Sequence, residues 1–279
     1  TRFAPSPTGP LHLGHAYSAA IAAARAKAKG GQFLLRIEDT DAQRSRVEWE
    51  RQIYEDLTWL GLEWQSPVRC QSEHGDYYTK ALKRLEERGL LFPCSCNRRD
   101  IQNALSAPQE GASMHGPDGL VYPGTCRHRP MSSRKPGDAL RLNIATSAAT
   151  LPPKISFTET GPAHPGPHDI SPKDLITTVG DVVLARKESG AVAYHLAVVL
   201  DDADQDISEV VRGEDLFEAT PLHVFLQALL DLPHPLYHHH GLIRDENGVR
   251  LAKRSDAQSL ATFRSQGMSP AEVLQKIGF

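Results

Sequence analysis

The feature that most constrains the fold of this chain is a proline- and glycine-rich turn between a short apolar start and a long alanine-rich segment. Residues 2–15 read RFAPSPTGPLHLGH, and three prolines and a glycine in the first nine of these positions exclude regular structure there. Residues 16–29 are almost all strong helix formers. This order predicts a strand, a rigid turn and a long helix that begins near His12 and His15.

A helix that begins at these histidines suits the phosphates of a nucleotide. The first turn of a helix has unpaired N–H groups and a partial positive charge, so it attracts anions. His12 and His15 add side-chain donors, and Gly14 lets a flat ring approach the backbone. The alternative, from spacing alone, is that two histidines three residues apart are ordinary polar surface residues.

Composition limits the class of protein without defining its activity. The chain has 279 residues, of which 40% are hydrophobic and 23% charged, as in a globule of one large or two modest domains. It has no run of 18 apolar residues, so we expect no membrane partner. The net charge of −3 means that a surface for nucleic acid has to be local. The chain begins at Thr1 rather than Met, so we expect native residues before it.

Four cysteines, two of them in Cys94-Ser95-Cys96, argue against a disulfide scaffold. They favour a reducing, cytoplasmic setting and a metal site that includes Cys126 as a third soft ligand. Structural zinc needs a fourth ligand, and the sequence leaves open which residue supplies it. The candidates are Tyr122, His115, His128 and Cys70. The alternative is a set of free thiols.

Hydrophobic patterning predicts the remaining elements. We expect a buried strand at 32–37, amphipathic helices at 47–60 and 76–88, and strands at 196–200, 210–211 and 235–243. The sequence also predicts a helix through about residue 230, a tight turn at 245–248, and a terminal helix that begins with a capping box at Ser269. Since ligands bind beyond the carboxyl ends of parallel strands, Glu38 should lie near the histidine turn. The alternative for Glu38 is a solvated loop.

Several stretches together resemble one family. RFAPSPTGPLHLGH resembles the HIGH motif of class I aminoacyl-tRNA synthetases in its glutamate-specific form, and LRIEDTD, YHLAVVLDD and VVRGEDL also look like glutamyl-tRNA synthetase. RLAKR at 250–254 resembles the KMSKS loop, although Arg250 and Ala252 depart from it. His195 is a further departure, because Gln or Asn is expected there.

The resemblance implies an α/β fold, with the Rossmann-like parallel sheet of class I synthetases, an inserted zinc-containing α+β subdomain and a short C-terminal helical segment. We expect a split nucleotide-binding catalytic domain at 1–91 and 188–244, and a zinc-binding, acceptor-type insertion at 92–187. Residues 245–279 would hold the KMSKS-like loop and a short helical segment that contacts the tRNA stem.

The resemblance also implies a reaction, in which ATP, accompanied by Mg²⁺, activates glutamate as an adenylate. The predicted catalytic residues are His12, His15 and Lys253. The residues predicted to bind ATP are Pro5, His12, Gly14, His15 and Lys253. The residues predicted to contact glutamate are Arg2, Ala4, Ser6, Glu38, Tyr194 and Arg212. Arginine suits a carboxylate side chain because it is a planar, bidentate cation, although Arg212 has an alternative pairing with Glu214 or Asp215. The zinc module of short members of the family implies the ligands Cys94, Cys96, Tyr122 and Cys126.

Only about 26 residues follow Lys253, which is too few for a separate anticodon-binding part. The chain therefore resembles a short paralogue of the family, which implies a monomer that transfers glutamate to the queuosine base in the anticodon arm of tRNA(Asp). The basic residues available for the phosphates of that arm are Arg98, Arg99, Arg127, Arg129, Arg134 and Lys135. Two alternatives are a catalytic fragment of an ordinary glutamyl-tRNA synthetase and a catalytically silent RNA-binding zinc protein.

Overall fold

A computed structural model describes residues 1–105, 115–117, 119–243 and 258–279. The strands in these ranges are β1 (Arg2–Phe3), β2 (Leu34–Ile37), β3 (Gln65–Cys70), β4 (Leu91–Cys94), β5 (His115–Gly116), β6 (Gly119–Leu120), β7 (Ala139–Leu142), β8 (Ile155–Glu159), β9 (Gly166–Ile170), β10 (Val183–Ala185), β11 (Glu209–Gly213) and β12 (Leu236–His240). The α-helices are α1 (Leu13–Ala28), α2 (Val47–Trp59), α3 (Gly75–Glu87), α4 (Arg98–Leu105), α5 (Ile144–Ala148), α6 (Leu175–Thr178), α7 (Tyr194–Asp204), α8 (Thr220–Leu230), α9 (Leu260–Ser265) and α10 (Pro270–Lys276).

Two sets of parallel strands form the framework. β1, β2 and β3 form one parallel sheet in that order, and β11, β12 and β8 form a second parallel set, to which β9 adds an antiparallel strand. Helix α1 connects β1 to β2, and α8 connects β11 to β12, as parallel pairing requires. Arg2 Nη1 donates to the carbonyl of Val211 at 3.4 Å, which brings β1 beside β11. The predicted α/β class with parallel strands is confirmed.

Helix α1 packs through a face of small side chains. Ala16, Ala19 and Ala22 are fully buried, and Ala20 and Ala26 are at most 4% exposed. Because alanine has only a methyl group, the helix backbone can lie close to the strands that it covers. This packing holds the N-terminus of α1, and therefore the histidine turn, against the end of β1.

The predicted strand at 196–200 is wrong, because this stretch forms the middle of α7. Every residue from His195 to Asp202 is buried, so the helix has no solvent-exposed face in this part. A short apolar run that is buried on all sides shows neither helical nor strand periodicity, and its valines favoured the strand prediction. As a helix, α7 places Tyr194 at its first turn and Asp201 and Asp202 near its end.

A separate antiparallel sheet pairs β7 with β4 on one side and with β10 on the other. Cys94 is the last residue of β4, and a small apolar cluster with Phe92 and Tyr122 surrounds it. β8 and β9 lie within the predicted insertion at 92–187 but pair with the β11–β12 set. The proposed domain boundaries stay a prediction.

The C-terminal helices pack on the N-terminal half of the chain. Leu260, Phe263 and Val273 share one hydrophobic cluster with α1, α2 and the first sheet. The capping box predicted at Ser269 is confirmed, because Ser269 and Glu272 exchange both of its hydrogen bonds. No helix in the described ranges has the length and apolar character needed to cross a membrane.

Candidate active site

The two histidines of the HLGH stretch cap α1. His12 Nδ1 accepts a hydrogen bond from the backbone of Gly14 at 3.1 Å, and His15 Nδ1 accepts one from the backbone of His12 at 3.1 Å. The two rings lie 3.8 Å apart between centroids. Since each Nδ1 accepts, a neutral ring carries its proton on Nε2. The sequence predicted both residues as donors but not as caps, because Ser, Thr, Asp and Asn are the usual capping residues.

A cavity of about 380 Å³ lies at this helix start. It is lined by Arg2, Phe3, Ala4, His12, Gly14, His15, Tyr17, Ser18, Glu38, Tyr194, Val211, Arg212, Gly213, Asp215, Leu216, His240, Gly241, Leu242 and Ile243. A second cavity of about 410 Å³ adjoins it, with Ala4, His15, Glu38 and Tyr194 among the shared walls, and it also contains Pro5 and Ser6. The structure therefore brings together every predicted site residue of the nucleotide and glutamate sets except Lys253, which lies outside the described residues, as do Arg250 and Ala252.

A buried carboxylate, Asp202, organises one wall of the cavity. It accepts from Arg2 Nε at 2.9 Å and Nη2 at 3.2 Å, and from Arg36 Nη1 at 2.7 Å. Burial opposes ionisation of Asp202, but the two guanidinium groups outweigh it and hold its pKa at about 2. Arg2 thus lines the cavity with its charge already balanced by a carboxylate.

Glu38 lies where the carboxyl end of β2 meets the proline turn. Its backbone N–H donates to the carbonyl of Pro5 at 3.0 Å, and its side chain accepts from Arg36 Nη2 at 3.2 Å. Burial raises the pKa of Glu38 above its usual value, and Arg36 and Arg2 oppose that rise. The predicted proximity of Glu38 to the histidine turn is confirmed, since Glu38 and His15 line both cavities.

Arg212 differs from Arg2 in its partners, which are all neutral acceptors. Its Nε donates to His239 Nε2 at 2.9 Å, its Nη1 to His223 Nδ1 at 2.9 Å, and its Nη2 to Thr220 Oγ1 at 2.8 Å. The alternative pairing with Glu214 or Asp215 is wrong, because neither forms an ion pair with Arg212. Arg212 is 6% exposed and lines the cavity, so within the described ranges it brings a positive charge that no carboxylate balances.

Sequence reasoning missed the residues behind Arg212. Neither His223 nor His239 was among the predicted site residues. For His239 alone, the three consecutive histidines that end β12 were a usable signal. His195, the noted departure from the family pattern, is 5% exposed and does not line the cavity. Its Nδ1 lies 2.9 Å from His223 Nε2, so His195 acts on the site through His223.

Three of the predicted metal ligands converge on one point. The Sγ atoms of Cys94, Cys96 and Cys126 all lie within 4.8 Å of one another. The Tyr122 hydroxyl lies 3.4 Å from Cys94 Sγ and 3.6 Å from Cys96 Sγ. Three thiols and one phenol oxygen are a donor set that zinc accepts. The other candidates do not join this cluster: His115, His128 and Cys70 are outside it.

The predicted basic residues differ in availability. Arg127 pairs with Asp181 at 2.7 Å, and Arg129 pairs with Asp138 at 2.8 Å. The exposed members of the set, which form no ion pair in the described part of the chain, are Arg98, Arg99, Arg134 and Lys135.

The parallel strands, the capped helix and the polar cavity fit the catalytic domain of a class I tRNA synthetase. The family of class I tRNA synthetases (E and Q), catalytic domain, matches residues 1–149 and 164–278. The glutamyl-Q tRNA(Asp) synthetase of Rhodobacter capsulatus is 57% identical over 281 residues, which cover 100% of this chain and 99% of the relative. The relative of the same name from Nocardia farcinica is 42% identical, over 98% of this chain and 81% of its own. The chain belongs to the glutamyl-Q tRNA(Asp) synthetase family.

Solved structures agree with this assignment. A glutamate tRNA ligase from Elizabethkingia meningosepticum, solved in complex with its amino acid, superposes with a TM-score of 0.76 at 25% identity. The match covers 99% of this chain and 59% of that one, so the present chain spans less than two thirds of the ligase. The glutamate-tRNA synthetase of Elizabethkingia anophelis gives a TM-score of 0.77, also at 25% identity.

Proposed function

We propose that this protein activates glutamate with ATP and transfers it to the queuosine base of tRNA(Asp). The observation that carries the glutamate assignment is the charge of Arg212, which reaches the cavity without a carboxylate partner among the described residues. A buried cation in such a setting favours an anionic ligand, because a neutral amide would leave the charge unpaired. The relatives' names support the tRNA(Asp) acceptor.

The lining residues divide into roles by their charge. Arg212 binds the side-chain carboxylate, with Tyr194 as a neighbouring hydroxyl donor. Glu38 binds the α-ammonium group, since it is the acidic group that ends β2 at the cavity. The α-carboxylate then attacks the α-phosphorus of ATP, and pyrophosphate leaves. The acceptor on the tRNA next attacks the carbonyl carbon of the adenylate, and AMP leaves.

The nucleotide is held at the start of α1. His12 and His15, together with the positive end of the α1 dipole, stabilise the negative charge that grows on the transferring phosphate. Mg²⁺ accompanies ATP as its counterion. We assign Lys253 the same task from its sequence alone. The described residues that precede and follow Lys253 in the chain support this assignment. Ile243 lines the cavity, and Ser259 forms a β-bridge with His12.

We infer that Cys94, Cys96, Cys126 and Tyr122 bind one structural zinc. The Tyr122 hydroxyl also accepts from the backbone of Cys126 at 2.8 Å, which fixes the oxygen beside the three sulfurs. When bound, zinc would link β4 to the 122–126 turn. The metal would add to the ion pairs Arg127–Asp181 and Arg129–Asp138, which already connect this region, and would stabilise it further. The insertion boundaries, the monomeric state, the cytoplasmic location and docking of the anticodon arm stay predictions from the sequence.

The test begins with glutamate-dependent ATP–pyrophosphate exchange in the absence of tRNA. We expect exchange with glutamate and at most about a hundredth of that rate with glutamine, because the amide leaves Arg212 unpaired. Equal exchange with glutamine would contradict the assignment. A protein without any exchange would be the silent RNA-binding zinc protein.

The second step locates the product. Radiolabelled glutamate is supplied with tRNA(Asp) that contains or lacks queuosine, and the labelled RNA is cut with nuclease and mapped. We expect label only on the queuosine-containing tRNA, in the anticodon-loop fragment. Label on the terminal adenosine, or on tRNA(Glu), would instead indicate an ordinary glutamyl-tRNA synthetase.

A further inference from the structure

Behind the cavity, five buried polar side chains form one continuous hydrogen-bonded chain. Its members, in spatial order, are Glu159, His239, Arg212, His223 and His195. Each of them is at most 6% exposed. They come from β8, β12, β11, α8 and α7, so the chain of contacts links most of the elements around Arg212.

The chemistry of arginine determines the direction of every bond in this chain. A guanidinium group has only N–H donors, so His239 Nε2 and His223 Nδ1, each 2.9 Å from Arg212, have to be acceptors. Neither ring can then be protonated on both nitrogens. Burial and the positive charge of Arg212 lower the pKa of His239 to about 4 and lower the pKa of His223 well below its usual value, which agrees with two neutral rings.

The same reasoning assigns a different tautomer to each ring. His239 accepts at Nε2, so its proton is on Nδ1, where Glu159 Oε2 lies 2.5 Å away as acceptor. His223 accepts at Nδ1, so its proton is on Nε2 and is donated to His195 Nδ1 at 2.9 Å. His195 therefore fills the place of the expected Gln or Asn as an acceptor for His223.

The backbone holds the Glu159 end of this chain in place. The Gly161 N–H donates to Glu159 Oε1 at 2.5 Å, and the backbone N–H of His239 donates to the same oxygen at 2.9 Å. A side chain at position 161 would bring its Cβ to 2.2 Å from the carbonyl oxygen of His239. Glycine is thus the residue that lets this turn approach β12.

We propose that His239 and His223 are positioning residues, which hold Arg212 for the substrate carboxylate by accepting from it as opposite tautomers. The proposal rests on the proposed function, because it concerns how that site recognises glutamate. Two neutral acceptors fix the guanidinium in place without consuming its charge. An acidic residue in either position would orient Arg212 equally well but would balance the charge that the substrate has to meet.

Amide substitutions test the tautomers directly. An Asn side chain places its oxygen near the position of Nδ1, and a Gln side chain reaches the position of Nε2. At position 223, where Nδ1 is the acceptor, His223→Asn should retain recognition and His223→Gln should lose it. At position 239 the order should reverse, so that His239→Gln is the better variant and His239→Asn the poorer one.

The readout is the KM for glutamate in ATP–pyrophosphate exchange, with the KM for ATP as internal control. In each pair we expect the poorer variant to raise the KM for glutamate about tenfold or more, as for loss of a hydrogen bond to a charged group, and the better one to stay within about threefold. The KM for ATP should change less than about twofold in all four. General damage to the fold cannot produce a preference that reverses between two positions.

Long-range ¹H–¹⁵N correlation spectra of protein labelled at histidine give a second readout, independent of activity. We expect His239 as the Nδ1–H tautomer and His223 as the Nε2–H tautomer between pH 6 and pH 8. An Nε2–H signal from His239, or the same order of amides at both positions, would overturn the proposal. A wild-type protein that shows no glutamate-dependent exchange would contradict the proposed function instead, and the spectra would still test the tautomers.

Discussion

The substitution Asp202→Asn should destabilise the fold strongly, because it removes the carboxylate shared by two buried arginines. Arg2 donates twice to Asp202 and Arg36 once, at distances between 2.7 and 3.2 Å. Arg36 is fully buried, and its remaining carboxylate contacts are Glu38 at 3.2 Å and Asp201 at 3.8 Å. Breaking a buried ion pair on one side typically costs roughly 3–5 kcal/mol, since it leaves an uncompensated charge.

The pKa of Asp202 gives an independent magnitude and a sign. It falls from an ordinary value of 3.8 to about 2 in the folded protein. This depression contributes about 2 kcal/mol to the free energy of unfolding at neutral pH. The contribution is present above pH 4 and is lost as the pH falls through 2, because the folded carboxylate then takes up a proton. About half of it should remain at pH 3.

Urea denaturation of wild type and Asp202→Asn, at pH 7.5 and at pH 3, measures both effects. Asp204→Asn is the matched control, because Asp204 lies on the same helix and pairs with Arg69, yet 44% of its side chain is exposed. We expect it to cost no more than about 1 kcal/mol. A loss below about 1 kcal/mol in Asp202→Asn at pH 7.5, or a loss that does not shrink at pH 3, would refute this account of the network.

Three further predictions concern the proposed metal site, the buried carboxyl group of Asp56 on α2, and Lys253, the proposed catalytic lysine. Cys94→Ser should lower the zinc content of purified protein, which we expect near one equivalent, while Cys70→Ser should leave it unchanged; equal loss in both would contradict the assigned ligands. Burial raises the pKa of Asp56 to about 6 in the folded protein, so the fold favours the neutral carboxyl group. The folded protein therefore loses stability as the pH rises through 6 and this carboxyl group ionises. Asp56→Asn should therefore stabilise the fold by about 2–3 kcal/mol at pH 8 and not at pH 4, as thermal unfolding at the two pH values would show. Lys253→Ala should slow adenylate formation about a hundredfold in pyrophosphate exchange while leaving glutamate binding nearly unchanged, and a rate within twofold of wild type would exclude this role.

The sequence predicted correctly those elements whose conformation follows from the preferences of their own residues. The proline turn, the alanine-rich α1 and the Ser269 capping box depend on local backbone preferences, so they could be identified without tertiary information. The position of Glu38 at the cavity followed from the general rule for parallel strands. The cysteine cluster followed from spacing, and Tyr122 entered it only through family resemblance.

The missed features depend on contacts between distant parts of the chain. Residues 196–200 form a helix because neighbouring elements bury every side of it, and no periodicity records this. The partners of Arg212 lie 8 to 27 residues away in the sequence, on two other elements. The sequence could not show that the partners of Arg212 are neutral, because the acidic residues Glu214 and Asp215 lie nearer to it along the chain.

The alanine face of α1 has a consequence for how the chain tolerates substitution. Ala22 lies ten residues beyond His12, or about 15 Å along the helix axis, and is fully buried, so we expect a larger side chain there to overpack the interface. We expect such overpacking to shift the helix against the strands and to move the two capping histidines at its start. In a library of all single substitutions selected for activity, Ala16, Ala19 and Ala22 should therefore be depleted of variants as strongly as the histidines themselves.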